Sequence, residues 1–224
     1  MIFILLLLHD FGGNRPSRKG KLTHLIANIK EIRPIIPFAA LLFLAQFFMQ
    51  PLFHYWQPLF KEQFDASPNE MSFIFIGYSL AMSSISWGYS RLTHFAHLRS
   101  SWFVIGIALM GSAIYSLIGR SSVFNLSLIL FALTFGVFNL VQIAVGVLVQ
   151  NQLRSENRMI ITKYISLFSR FGMIISLVFV HLLFANDWAT PGVYKLYGTF
   201  AVVVFGSYLG WMIMQKKGEK KYVS

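Results

Sequence analysis

The sequence predicts an all-α, polytopic membrane protein with six transmembrane helices. Three observations carry that expectation. First, the chain has 224 residues, of which 56% are hydrophobic and only 12% are charged. A soluble domain of this size needs more charge than that to cover its surface. Second, six segments are long enough to cross a bilayer, which takes about 20 predominantly apolar residues in a helix. Third, the basic residues sort by side. Fifteen of the nineteen Lys and Arg residues fall on one side of the six segments, three (Lys61, Arg120 and Lys195) on the other, and Arg170 inside a segment. Positive charge stays in the cytoplasm, so both ends of the six-helix block are expected to face inward across an inner or plasma membrane.

The elements follow in order. Residues 1–8 include the apolar run Ile2 to Leu8, which is too short to span and lacks the flanks of a signal peptide. It reads as the last two turns of a preceding membrane helix, which makes the chain part of a longer protein. A short interfacial anchor is the alternative. Residues 9–33 form a basic linker. Within it Leu22, Leu25, Ile26 and Ile29 recur at helical spacing, as in a helix lying on anionic headgroups. The transmembrane block covers 34–214, with spans over 34–57, 71–90, 101–119, 123–149, 159–184 and 193–214. The runs are too long and too uniformly apolar for the alternation of a barrel. Residues 215–224 form a basic cytoplasmic tail.

Polar residues interrupt several spans. Gln46, Gln50, His54 and Gln57 lie within roughly 80° of one another on a helix turning 100° per residue. Hydrocarbon offers them no partner, so this stripe must face other helices or a water-filled cavity. Pro51 lies in the same stretch and frees a backbone carbonyl near Phe47. The second span carries Ser72, Ser79, Ser83, Ser86 and Ser90 on one face, a pattern that suits close helix packing. The fourth carries Gly136, Asn139, Gln142, Gly146 and Gln150. Asn139 and Gln142 serve either as glue between helices or as the lining of a cavity. Arg170 is the one cation well inside a span, which makes it a functional candidate unless it snorkels to the cytoplasmic surface. His54 is the one candidate for proton coupling, because no Asp or Glu lies inside any span.

Several function classes lack their residues. There is no cysteine. No Gly-x-Ser-x-Gly elbow, His-Glu-x-x-His pair or phosphate-cradling Gly-Lys-Ser/Thr loop occurs, so neither an intramembrane enzyme nor an ATP-driven pump is expected. Nothing points to a cofactor or a metal. The net charge of +11 sits in clusters between apolar blocks, which argues for membrane lipid rather than nucleic acid as its partner.

Two stretches bear a resemblance. "NQLRSENRMIITKYISLFSRFG", Asn151 to Gly172, places Glu156, Arg158, Ser166, Arg170 and Gly172 in an acidic-then-Arg turn leading into a Ser-containing helix and an Arg-x-Gly. "GYSRLTHFAHLRS", Gly88 to Ser100, is a basic inter-helix loop containing Arg91, with His94 and Leu98 at positions that elsewhere are acidic and basic. Together with six helices after a basic linker, these resemble the C-terminal half of a major facilitator superfamily transporter. The resemblance implies that the first and fourth spans line a central cavity, placing Gln46, Gln50, His54, Asn139 and Gln142 around a small organic substrate. It implies gating or structural roles for Arg170, Arg158, Glu156 and Arg91. It also implies transport by alternating access, with an N-terminal six-helix half or a second copy completing the cavity. The competing expectation is a non-transporting membrane interaction protein, the remnant of a truncated transporter gene.

Overall fold

The computed structural model describes residues 35–92, 100–153 and 155–221. The expected helix end at 1–8, the linker 9–33, and His94 and Leu98 lie outside those residues. So do the side chains of Glu156 and of the tail from 215 onward.

Among the described residues the chain is helical throughout, as α1 (Ile36–His54), α2 (Trp56–Phe64), α3 (Pro68–Leu92), α4 (Ser101–Ile118), α5 (Phe124–Gln152), α6 (Ser155–Ala185) and α7 (Thr190–Lys221). Five stretches are long and apolar enough to cross a bilayer: Ile36–His54, Ser101–Ile118, Phe124–Gln152, Ile161–Ala185 and Thr190–Met214. This is compatible with an integral membrane protein. The serine-rich α3 occupies the expected second span but is not one of the five.

The expected first span, 34–57, is two helices rather than one. Pro51 brings no N–H to the ladder, and the backbone leaves helical geometry at Tyr55 (φ −121°, ψ 14°) before α2 begins. The joint is closed by the Tyr55 N–H on the Pro51 carbonyl at 2.9 Å. Tyr194 of α7 donates its hydroxyl to the same carbonyl at 2.8 Å.

Local signals set the other boundaries. Ser67, Pro68 and Glu70 form a capping box at the start of α3. The Glu70 carboxylate accepts from the Ser67 N–H at 2.8 Å and from its hydroxyl at 2.7 Å, while the Glu70 N–H reaches Ser67 Oγ at 3.4 Å. These bonds hold the Glu70 carboxyl below its ordinary range. Lys61, bonded to Asp65, lowers the Asp65 carboxyl in the same way. Ser100 caps α4 by accepting from the Phe103 N–H at 3.2 Å. Asp187 takes a left-handed conformation (φ 59°) after α6, and the Trp188 N–H then closes on the Leu183 carbonyl at 3.2 Å.

The long helices pack in four principal pairs, α1 with α6, α4 with α7, α3 with α5 and α4 with α5, and α5 also packs on α1. Small residues allow the close approaches. A β-carbon on Gly172 of α6 would strike the Phe43 carbonyl of α1, and one on Gly198 of α7 would strike the backbone of Ser116 in α4. Aromatic rings fill the α1–α6–α7 interior. Phe47 stacks on Tyr197 at 5.4 Å, and Phe48 packs on Phe205 at 5.7 Å. The Tyr197 hydroxyl donates to the Ser176 carbonyl at 3.0 Å.

The turns after α2, α4 and α6 share one end of the bundle, and α2 ties them together. Glu62 accepts from both the N–H and the hydroxyl of Thr190, at 2.9 and 2.7 Å, and so caps α7. Gln63 donates to the Ser121 carbonyl in the α4–α5 turn.

Candidate functional site

The site is built on α1 and α5 where they touch. Gln46 donates its amide N–H to Gln142 Oε1 at 2.9 Å, across the α1–α5 contact. Gln50, one turn along α1, donates to Gln46 Oε1 at 3.4 Å. Gln142 in turn points its amide N–H at the Met49 sulfur, 2.8 Å away. Three amides therefore form a row across two apolar helices. Their i, i+4 spacing on α1 puts Gln46 and Gln50 on the same side of that helix. Gln50 is buried, 2% exposed, and its Oε1 has no donor among the described residues. Gln46 and Gln142 are half-buried.

Asn139 does not join this row. Three residues before Gln142 on α5, it points roughly 60° away around the helix. It donates to Ser86 Oγ of α3 at 2.8 Å, and the Ser86 hydroxyl donates to the Met82 carbonyl at 2.7 Å. The polar residues of α5 thus bridge to a neighbour on each side, α1 through Gln142 and α3 through Asn139.

Ser86 apart, the serine stripe does not pack. Ser72, Ser83 and Ser90 are exposed and Ser79 is half-buried, while α3 meets α5 through Ile85 and Ala81 at Gly136. The close packing expected of the stripe is supplied instead by that glycine. The exposed serines share α3 with large exposed apolar side chains, among them Phe73, Ile76, Leu80 and Trp87.

His54 and Gln57 are exposed on either side of the joint at Tyr55, and neither takes part in the hydrogen bonds of the amide row. The single stripe expected from 46 to 57 is cut at Tyr55, which puts Gln57 on a separate helix, and His54, the last residue of α1, ends that helix exposed. His54 is therefore not brought together with the other candidates. Its neighbour Phe53 packs edge-on against Phe135 of α5, ring centroids 4.5 Å apart.

The charged candidates lie apart from the amides. Arg91 is exposed and sits over the Trp87 ring one turn back, 5.5 Å from its centroid. Arg158 is exposed and reaches the Leu153 carbonyl at the end of α5, at 3.5 Å. Arg170 is exposed on α6. The spacing of the Arg-x-Gly explains this. Gly172 faces α1, and a residue two positions away lies about 200° around the helix, on the opposite face.

Met49 and Ser86 are the partners that sequence reasoning missed. Ser86 carried a signal, because it belongs to the serine stripe. Met49 carried none, since its sulfur matters only once α1 meets α5. An open cleft of about 860 Å³ lies between α2 and the start of α3, beside Trp56, Gln57, Lys61, Ser72 and Phe75. None of the nine predicted site residues lines it. Comparison with family models, curated proteins and solved structures gives no match for this chain.

Proposed function

We propose that this chain is one six-helix wall of a secondary transporter of the major facilitator type. It moves a small uncharged organic solute by alternating access, with both ends of the block in the cytoplasm. The carrying observation is the Gln50–Gln46–Gln142 row, which ends in a buried carbonyl oxygen with no donor among the described residues. A buried acceptor without a donor is costly, and a solute hydroxyl or amide satisfies it. No ionisable side chain belongs to the row, which favours a neutral solute over an ion.

Flux into proteoliposomes tests the proposal, with the chain assembled beside the six-helix unit that faces it. Labelled hexoses, nucleosides and dipeptides serve as probes. Flux of one class, lost in Gln50→Leu and Asn139→Leu with insertion intact, is expected. Flux that survives both substitutions removes the cavity assignment.

One observation favours a second reading. Gln46 with Gln142, and Asn139 with Ser86, already satisfy each other between helices. Such pairs act as glue in a membrane interaction protein that transports nothing, and the absence of flux for every probe selects it.

A further inference from the structure

The outward face of α6 poses a problem that the transport reading does not address. Lys163, Arg170 and His181 are all exposed and fall within about 20° of one another around the helix. The surface between them is apolar. Phe171 is 48% exposed, Ile174 51% and Val178 56%. Arg170 lies nine residues beyond Ile161, the start of the apolar stretch that ends at Ala185. At 1.5 Å per residue that is roughly 14 Å along the axis, two to three turns inside the stretch.

A guanidinium at this depth is costly among acyl chains unless it is paired. Among the described residues the one ion pair is Lys61 with Asp65, and no acceptor bonds Arg170. Among the described residues no Asp or Glu lies inside the five apolar stretches. A second copy makes matters worse. Two copies oriented alike in one membrane and meeting on this face bring Arg170 against Arg170 at the same depth.

From this we infer that the α6 face centred on Arg170 is an interaction surface for a membrane helix from outside these 224 residues. That helix is apolar and carries one carboxylate at the depth of Arg170. Charge complementarity selects the partner, and the apolar residues flanking the arginine supply the contact. The inference stands on Arg170 and holds whether or not the chain moves a solute.

The test uses the purified full chain in nanodiscs of zwitterionic lipid. The probes are fluorescent Leu/Ala peptides of about 24 residues, with a central Glu or a central Gln. The Glu peptide is expected to bind the wild-type chain about tenfold more tightly than the Gln peptide, the scale of one interhelical polar contact in a membrane. Arg170→Leu should abolish that preference. Arg170→Glu should reverse it, in favour of a peptide with a central Lys. Moving the peptide's Glu two turns toward either end should also remove the preference.

Equal binding of Glu and Gln peptides to the wild-type chain overturns the inference and leaves Arg170 snorkelling to headgroups. A Glu preference that survives Arg170→Leu overturns it as well. So does energy transfer between two differently labelled wild-type copies that Arg170→Leu abolishes, because a second copy then covers the face.

Discussion

Gln46 and Gln50 sit one turn apart on α1, yet their substitution should have opposite consequences. Gln46 is bonded on both sides, donating to Gln142 and accepting from Gln50. Gln46→Leu leaves two amides without their partner and should lower stability by about 1–2 kcal/mol, read as the unfolding midpoint in mixed detergent. Gln50 makes one long bond at 3.4 Å and buries an oxygen with no donor. Gln50→Leu removes that uncompensated group and should leave the midpoint unchanged or raise it, while abolishing any flux. A midpoint lowered equally by both changes means the row is glue alone. The sequence made much of this legible, because amides in an apolar run must point at protein or water. It did not make Gln57 separable from them, since nothing local announces that the helix stops at Tyr55.

At the scale of the helix, the capping box before α3 was written plainly as Ser-Pro-Asn-Glu, inside a stretch that otherwise reads as a polar loop. Ser67→Ala should fray the first turn at a cost of about 1 kcal/mol, seen as faster amide exchange at Glu70 and Met71. The same cap is sensitive to acid. The folded Glu70 carboxyl sits below its ordinary value, so its contribution is full above the unfolded value of 4.5. It is lost as pH falls through the lowered folded value. Helicity at the start of α3 should therefore decline on acidification in the wild type and show no such decline in Glu70→Gln. The clasp on α7 should behave as a cap too, with Glu62→Ala destabilising by about 1 kcal/mol in the same midpoint assay. That clasp was not legible, because 128 residues separate Glu62 from Thr190. The break at Tyr55 was only half legible. Pro51 was visible, but prolines are tolerated inside membrane helices, so the sequence did not say whether the helix bends or stops.

For the whole molecule, hydropathy and charge fixed the order of the helices but not which of them touch. Pairing α1 with α6 or α4 with α7 is long-range information, carried by glycines whose role appears only against a partner. Gly198→Val should separate α4 from α7, because backbone rather than a mobile side chain blocks the added atoms. A midpoint loss of about 1–3 kcal/mol is expected, with the α1–α6 pair unaffected in cysteine cross-linking. The first turn of α7 also has a part to play in any motion of the bundle. Tyr194 grips the chain just before the joint at Tyr55, and Thr190 grips it just beyond, through Glu62. One rigid rod thus splints both sides of the elbow. α2 cannot swing alone: it either drags the head of α7 along, together with the turn that ends α6, or tears two sets of hydrogen bonds at once.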